Sequence, residues 1–339
     1  MNRGGGPLAL TMGDPAGIGG ELTLKAWLGR TADTGCFFVL DDPARLTALA
    51  HRLGWPVPIA VIDGPQEAVA AFDDALPVLP IQLPFASIPG RADPRNAPAV
   101  IGSIETAVRL VESGMASGVV TNPISKSVLY AAGFPFPGHT EYLADLAGGK
   151  AVPVMMLAGP SLRVVPVTVH LALAAALRSL DQPTIITAAQ ITIAALCQDF
   201  GIARPRLAIA GVNPHAGESG AMGSEERDII APAVAALRGE GIDAIGPLPP
   251  DTLFTPTARA GYDAALCMYH DQALIPIKAL DFDRAVNVTL GLPFVRTSPD
   301  HGTAFDIAGS GRANATSLIA AIHMARAIAG RRAGATAAT

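Results

Sequence analysis

Cysteine is scarce in this sequence of 339 residues: the three, Cys36, Cys197 and Cys267, lie far apart with no CxxC spacing. That excludes a disulfide scaffold and a cysteine-built zinc module. Cys197 and Cys267 fall inside the apolar runs IAALC and AALCM, so buried, reduced thiols are expected, which favours the cytosol. Charge is sparse too. Charged residues make up 16% of the chain, the formal net charge is -5, and no basic run exceeds the pair Arg331 and Arg332. An electrostatic footprint for nucleic acid or an anionic membrane is therefore missing. Long apolar stretches are also lacking, since Gly, Pro or a charge interrupts every segment before the roughly 20 apolar residues of a membrane helix. The opening MNRGGGPLALTMGDPAG holds too short an apolar stretch for a signal-peptide core. These absences lead to the expectation of a soluble, cytoplasmic protein whose partner is a small molecule.

Apolar residues make up 50% of the chain, enough for a large core. Short apolar runs (PLALTM, GCFFVL, AVIDG, GVVTN, VPVMML, LRVVPVTVH, PRLAIAGVN, DAALCMYHD, VNVTLG) read as strands. They alternate with helical segments at 21–28, 101–113, 124–132, 140–146, 171–180, 184–199, 224–240 and 316–328. This is the alternation of a mostly parallel α/β sheet covered by helices. Pro-rich, weakly periodic regions at 76–98 and 246–257 are candidate crossings between two lobes. The expected division is 1–125 with 285–330 as one α/β lobe, 126–284 as the other, and 331–339 as a disordered tail.

Three of the seven histidines, His170, His215 and His270, end apolar strands. Ligands of an open parallel sheet bind beyond the carboxyl ends of its strands, so these imidazoles can share one rim. Three protein ligands with an open position suit a catalytic divalent metal. A histidine after a strand is as readily a plain hydrogen-bonded loop residue, and no HxxxH spacing ties any pair together. Asn213, Glu218, Asp271 and Gln272 are nearby groups able to orient the rings.

TMGDPAGIGGE links the first strand to the first helix, where its backbone N–H groups can face an anion or merely form a turn capped by Asp14. In TNPISK, Ser125 and Lys126 open a helix, an unfavourable place for a cation unless an anion is near. In GHTEYLA, Thr140 is either a helix N-cap or, with His139, a ligand group. Lys278, Asn287 and Arg296 stand among apolar residues close in sequence to His270, Asp271 and His301, a composition suited to an anionic polar substrate.

Taken together, GDPAGIG, TNPISK, GHTEYLA, VNPHAGE, PLPPDTLF, YHDQALIPIK and VNVTLGLPFVRTSPDHGTAFDIAG resemble the 4-hydroxythreonine-4-phosphate dehydrogenases, from about Leu8 to Ala325. DHGTAFDIAGSGRANAT is similar to the loop that isopropylmalate dehydrogenases wrap around the adenosine half of NAD. The resemblance implies a two-lobed α/β/α sandwich of the isocitrate and isopropylmalate dehydrogenase type, with the active site in the cleft between lobes. It implies that His170, His215 and His270 bind one divalent cation (Zn, Co, Mn or Mg), and that His139, Thr140, Lys278, Asn287 and Arg296 hold substrate. It further implies a homodimer in which the neighbouring subunit supplies the third histidine. Gly13, Asp14, His301, Gly302, Asp306 and Ile307 are the corresponding cofactor candidates, and a carboxylate at Asp306 would favour NAD over NADP. Asp251, Asp271 and Lys278 are the candidate catalytic groups. One departure is visible, Gly20 where the family usually has Pro.

The activity implied is NAD-dependent and metal-dependent oxidation of 4-phosphooxy-L-threonine, with decarboxylation to 3-amino-2-oxopropyl phosphate, in vitamin B6 biosynthesis. The alternatives are a sister decarboxylating dehydrogenase of 4-phosphoerythronate or 4-phosphothreonate, a phosphate acyltransferase-like enzyme, and a non-catalytic sensor.

Overall fold

A computed structural model describes residues 5–336 of the chain. The chain divides into two compact units, Met1–Pro153 with Leu292–Thr339, and Val154–Gly291. In chain order the first unit opens with β1 (Leu8–Thr11), α1 (Gly19–Leu28), β2 (Phe37–Asp41), α2 (Pro43–Leu53), β3 (Ile59–Val61), α3 (Pro65–Ala71), β4 (Leu76–Pro80), α4 (Ala97–Glu112), β5 (Val119–Thr121), α5 (Lys126–Ala131) and α6 (His139–Leu146). The second unit comprises β6 (Val154–Ala158), β7 (Arg163–Pro166), α7 (Leu173–Ser179), α8 (Gln182–Gln198), β8 (Arg206–Ala210), α9 (Ala231–Gly239), β9 (Asp243–Leu248), α10 (Pro250–Leu253), α11 (Pro256–Arg259), β10 (Ala264–Cys267), α12 (His270–Asp281) and β11 (Val286–Leu290). The chain then returns to the first unit with β12 (Arg296–Pro299) and α13 (Thr316–Thr336).

Every residue of β1, β2 and β5 is buried, with no alternation of faces, which is what a parallel sheet covered by helices on both sides requires. Strands of the first unit run β3-β4-β2-β1-β5-β12, all parallel. Those of the second run β11-β6-β7-β10-β8-β9, with antiparallel pairing only at β11–β6 and β6–β7. The mostly parallel α/β class expected from the alternation of apolar runs is therefore the class observed.

Unit boundaries differ from the expectation. Residues 126–153 belong with the first unit, because Leu129, Phe134, Tyr142 and Leu143 pack into one core with Ala9, Phe38, Val100 and Phe294. Residues 285–291 belong with the second, because β11 pairs along its length with β6 and Ala285 joins the core around Leu157 and Ile277. The expected disordered tail is helical through Thr336, where an Ala- and Arg-rich run of high helix propensity extends α13; residues 337–339 lie outside the described residues. Cys197 is exposed on α8 rather than buried, whereas Cys267 is buried in β10 and Cys36 is half-buried; none of the three is in a disulfide. Among the described residues no helix is long and apolar enough to cross a membrane. At Gly20 a Cβ would stand 2.8 Å from Leu49 Cδ2 and 3.0 Å from Arg45 Nη1, so the residue lets α2 approach the start of α1.

Candidate active site

β7, β10 and β8 are neighbours and parallel, so their carboxyl ends open on the same side of the sheet. His170 follows β7, His270 opens α12 directly after β10, and His215 sits in the turn after β8. The first two ends are tied together: Val167 N donates to the Cys267 carbonyl at 2.8 Å and Thr168 Oγ1 to the Met268 carbonyl at 2.8 Å. As a result the rings of His170 and His270 lie with centroids 5.8 Å apart. Asp271 Oδ1 is 2.7 Å from His270 Nδ1, so the carboxylate occupies that ring nitrogen and not Nε2. The two imidazoles, Asp271, Thr168 and Tyr269 line a cavity of about 210 Å³.

His215 is not part of that cavity. Among the described residues no group of three or more His, Cys, Asp or Glu side chains is close enough to hold a metal ion. Two of the expected ligands are thus brought together in one chain and the third is not. His170 has φ 47° and His215 has φ 51°, both in the left-handed region. His215 begins a run of five left-handed residues ending at Ser219. Such conformations cost about 1–3 kcal/mol each and persist where the surroundings enforce them.

Glu226, buried, supplies that enforcement. Its Oε1 accepts from Val212 N and Asn213 N, both at 2.7 Å, and its Oε2 accepts from Asn213 Nδ2 at 2.9 Å. Asn213 also donates to Glu225, so its amide is committed to shaping the turn rather than orienting an imidazole, and Glu218 is exposed. Gln272 does comparable work between strands: it accepts from Met268 N at 2.6 Å and donates to the Gly211 carbonyl at 2.7 Å, joining the ends of β10 and β8. Asp251 is exposed in the first turn of α10, which packs against the His215 turn. Lys278, on α12, and Asn287, on β11, are half-buried outside the imidazole cavity; Asn287 Oδ1 is shut off from solvent with no hydrogen-bond partner.

The first unit brings Arg296 and Lys126 near His139. Arg296, the first residue of β12, is buried and donates through Nη2 to Thr121 Oγ1 at 2.7 Å. Burial lowers its pKa to about 10 against the opposing pull of Glu141, so it stays cationic at neutral pH. His139 starts α6, and its imidazole is held well below the usual histidine range, first by burial and then by the charges of Arg296 and Lys126. His139 Nε2 is sealed from solvent without a partner. Gly138, not Thr140, occupies the N-cap of α6, which leaves the Thr140 hydroxyl without a capping role. A neutral imidazole, a hydroxyl, a guanidinium and the ammonium of Lys126 are a donor set suited to an anion.

The first glycine-rich loop is an internal joint rather than an anion cradle. Asp14 N donates to the Pro123 carbonyl, Ala16 N to Asp14 Oδ1, Gly17 N to the Asp14 carbonyl and Ile18 N to the Thr303 carbonyl. Gly13 is buried at φ 69°, and a Cβ there would lie 2.6 Å from the Pro123 carbonyl oxygen. Asp14 is buried and its pKa is raised, by burial against the Ala16 hydrogen bond and Arg45. Residues 301–313 form a turn-rich segment on which Asp306 and Gly302 are exposed and His301 and Ile307 half-buried. Gly309 of this segment lines a cavity of about 340 Å³ together with Pro15, Gly17, Arg45, Arg52 and Phe85.

A mostly parallel α/β fold that sets imidazoles at strand ends and a guanidinium beside a helix start belongs to the class of α/β enzymes acting on small anionic molecules. The family described as pyridoxal phosphate biosynthetic protein PdxA matches residues 33–325, and this chain belongs to it. The 4-hydroxythreonine-4-phosphate dehydrogenase of Caulobacter vibrioides is 56% identical over 331 residues, covering 96% of this chain and 98% of the relative. The protein of the same name from Bradyrhizobium diazoefficiens is 54% identical over 336 residues, covering 96% and 97%. A crystal structure of 4-hydroxythreonine-4-phosphate dehydrogenase from Klebsiella pneumoniae superposes with TM-score 0.85 at 38% identity, covering 96% of this chain and 99% of that one. The chain is an enzyme of this dehydrogenase family.

Proposed function

We propose that the chain oxidises 4-phosphooxy-L-threonine with NAD and a divalent cation, releasing carbon dioxide and 3-amino-2-oxopropyl phosphate, as a cytoplasmic homodimer. The observation that carries the reading is the pair His170 and His270, convergent at two strand ends, in a chain that is 56% identical to a relative of that name. Neutral imidazoles with one nitrogen fixed by a carboxylate suit zinc, cobalt or manganese, and magnesium where substrate oxygens complete the shell. Bound there, the cation would acidify the substrate hydroxyl and stabilise negative charge on its oxygen.

The chain's own groups have separable tasks. Arg296, His139, Thr140, Lys278 and Asn287 hold the phosphate and carboxylate, Arg296 and Lys278 through charge-assisted bonds. Asp271 orients His270, and Asp251 is the remaining general-base candidate. Asp306 on the 301–313 segment receives the adenosine ribose hydroxyls, and its charge opposes the extra phosphate of NADP.

In the proposed dimer the neighbouring subunit supplies the third histidine of the metal set. Support comes from exposed apolar residues on the segments that carry the histidine pair, Leu171 at 51% and Leu173 at 56% after His170 and Ile275 at 67% on α12, surface of the kind that a subunit interface covers.

The test follows NADH absorbance with 4-phosphooxy-L-threonine, with and without a chelator, on the parent and on His215→Ala. Chelator-sensitive turnover abolished by the substitution is expected. Chelator-insensitive turnover would overturn the metal reading, and faster turnover of 4-phosphoerythronate would move the substrate to a sugar acid.

A further inference from the structure

One face of α1 grips the segment at 309–313. Glu21, fully buried in the first turn of the helix, accepts from Gly309 N through Oε1 and from Gly311 N through Oε2 at 2.9 Å. Lys25, one helical turn later, donates through Nζ to the carbonyls of Gly311 at 2.8 Å and Ala313 at 2.5 Å. Its Nζ also stands 5.3 Å from the Trp55 ring. A buried carboxylate is costly unless its oxygens find donors, and here both are turned to backbone N–H groups of this one segment. Gly309 and Gly311 have φ 74° and 76°, so both N–H groups depend on a left-handed backbone that the clasp holds in place.

On its other side, Thr303 is held by Ile18 N at 3.0 Å. Between these two anchorages the segment is closed by its own turns, Ile307 N to the Ala304 carbonyl and Ser310 N to the Ile307 carbonyl. Asp306 and Ile307 therefore stand on a short arch whose far footing is Glu21 and Lys25.

We infer that Glu21 and Lys25 are positioning residues that set NAD affinity by fixing this arch, without touching the dinucleotide. The inference rests on the reading of 301–313 as the cofactor segment. Glu21→Gln keeps the shape but replaces one acceptor by an amide donor facing a backbone N–H, and Lys25→Met keeps the stem but removes the donors. The full-length protein is titrated with NAD by calorimetry, amide exchange at 303–313 is measured without NAD, and steady-state kinetics supply KM and kcat.

Glu21→Gln is expected to raise the Kd for NAD at least tenfold and to speed exchange at 303–313. KM for NAD rises accordingly, while kcat at saturating NAD and KM for the phosphorylated substrate stay within twofold. Lys25→Met is expected to raise the Kd about threefold or more, and it decides the matter if Glu21→Gln does not fold. Unchanged NAD affinity in the folded variants overturns the inference. Asp306→Asn separates the two layers: if it too leaves NAD affinity unchanged, the cofactor reading has failed; if it alone weakens NAD, only the clasp has.

Discussion

The rings of His170 and His270 lie 5.8 Å apart at the ends of two hydrogen-bonded parallel strands, and Asp271 holds Nδ1 of the second. A carboxylate in that position fixes the tautomer and raises the basicity of the opposite nitrogen. Replacing either histidine by alanine should abolish tight binding of cobalt or zinc. Asp271→Asn should weaken it by about 10- to 100-fold. Metal titration of the purified variants reads this directly, and an Asp271→Asn protein that binds as tightly as the parent would contradict the arrangement.

Strain at His215 gives a second expectation. With φ 51° and ψ 28°, this residue occupies a region that glycine enters freely and a β-carbon disfavours by about 1–2 kcal/mol. His215→Gly should therefore remove metal binding while leaving the metal-free protein no less stable than the parent. Chemical unfolding in chelator measures it; a loss of about 1 kcal/mol or more would show that the imidazole itself supports the turn.

Which parts of this were legible beforehand follows from how each residue signals. β1, β2, β5, β8 and β10 are continuous apolar runs, and a run buried on both faces announces itself. β12 does not, because its buried residues include Arg296, Thr297 and Ser298, each polar in a site that keeps them for partners rather than for packing. β4 hid inside a proline-rich stretch. α2 is absent from the expected helices although it carries plain signals, with Asp42 capping Ala44 N and Arg45 N, Pro43 at its start and Gly54 left-handed at its end. His139 and Thr140 at a helix start, and Arg296 among apolar residues, are visible in the sequence as residue types, but their nearness to one another is not. The clasp of Glu21 on Gly309 and Gly311 is not visible either, since it joins residues 288 and 290 positions apart that only the fold brings together.

His139 offers a pH signature. Burial, then the charges of Arg296 and Lys126, depress its folded-state pKa well below the ordinary value of about 6.5. As pH falls past about 6.5 the unfolded imidazole takes up a proton first, so stability is complete above that pH and declines below it, down to the folded pKa. H139Q cannot titrate. The difference in melting temperature between parent and H139Q should therefore move in favour of the variant as pH drops from 7 to 5, and a constant difference across that range would mean that His139 titrates normally.

Gly13 and Gly102 form a matched pair for testing the joint between the first loop and β5. At Gly13 an added β-carbon meets two obstacles: φ is 69°, and the Pro123 carbonyl oxygen and Asn122 Cβ would be 2.6 and 2.8 Å away. Backbone, not a flexible side-chain end, must move, and the Asp14 N to Pro123 bond of 2.8 Å would be disturbed with it. Gly13→Ala should cost more than about 2 kcal/mol. Gly102 lies inside α4 with nothing within 4 Å of its prospective β-carbon, so Gly102→Ala should gain up to about 1 kcal/mol from helix propensity. Urea midpoints measured at unchanged slope distinguish the two. If Gly13→Ala unfolds at the parent's midpoint, the loop contact is looser than its geometry indicates and the glycine is not there to admit the neighbouring strand's loop.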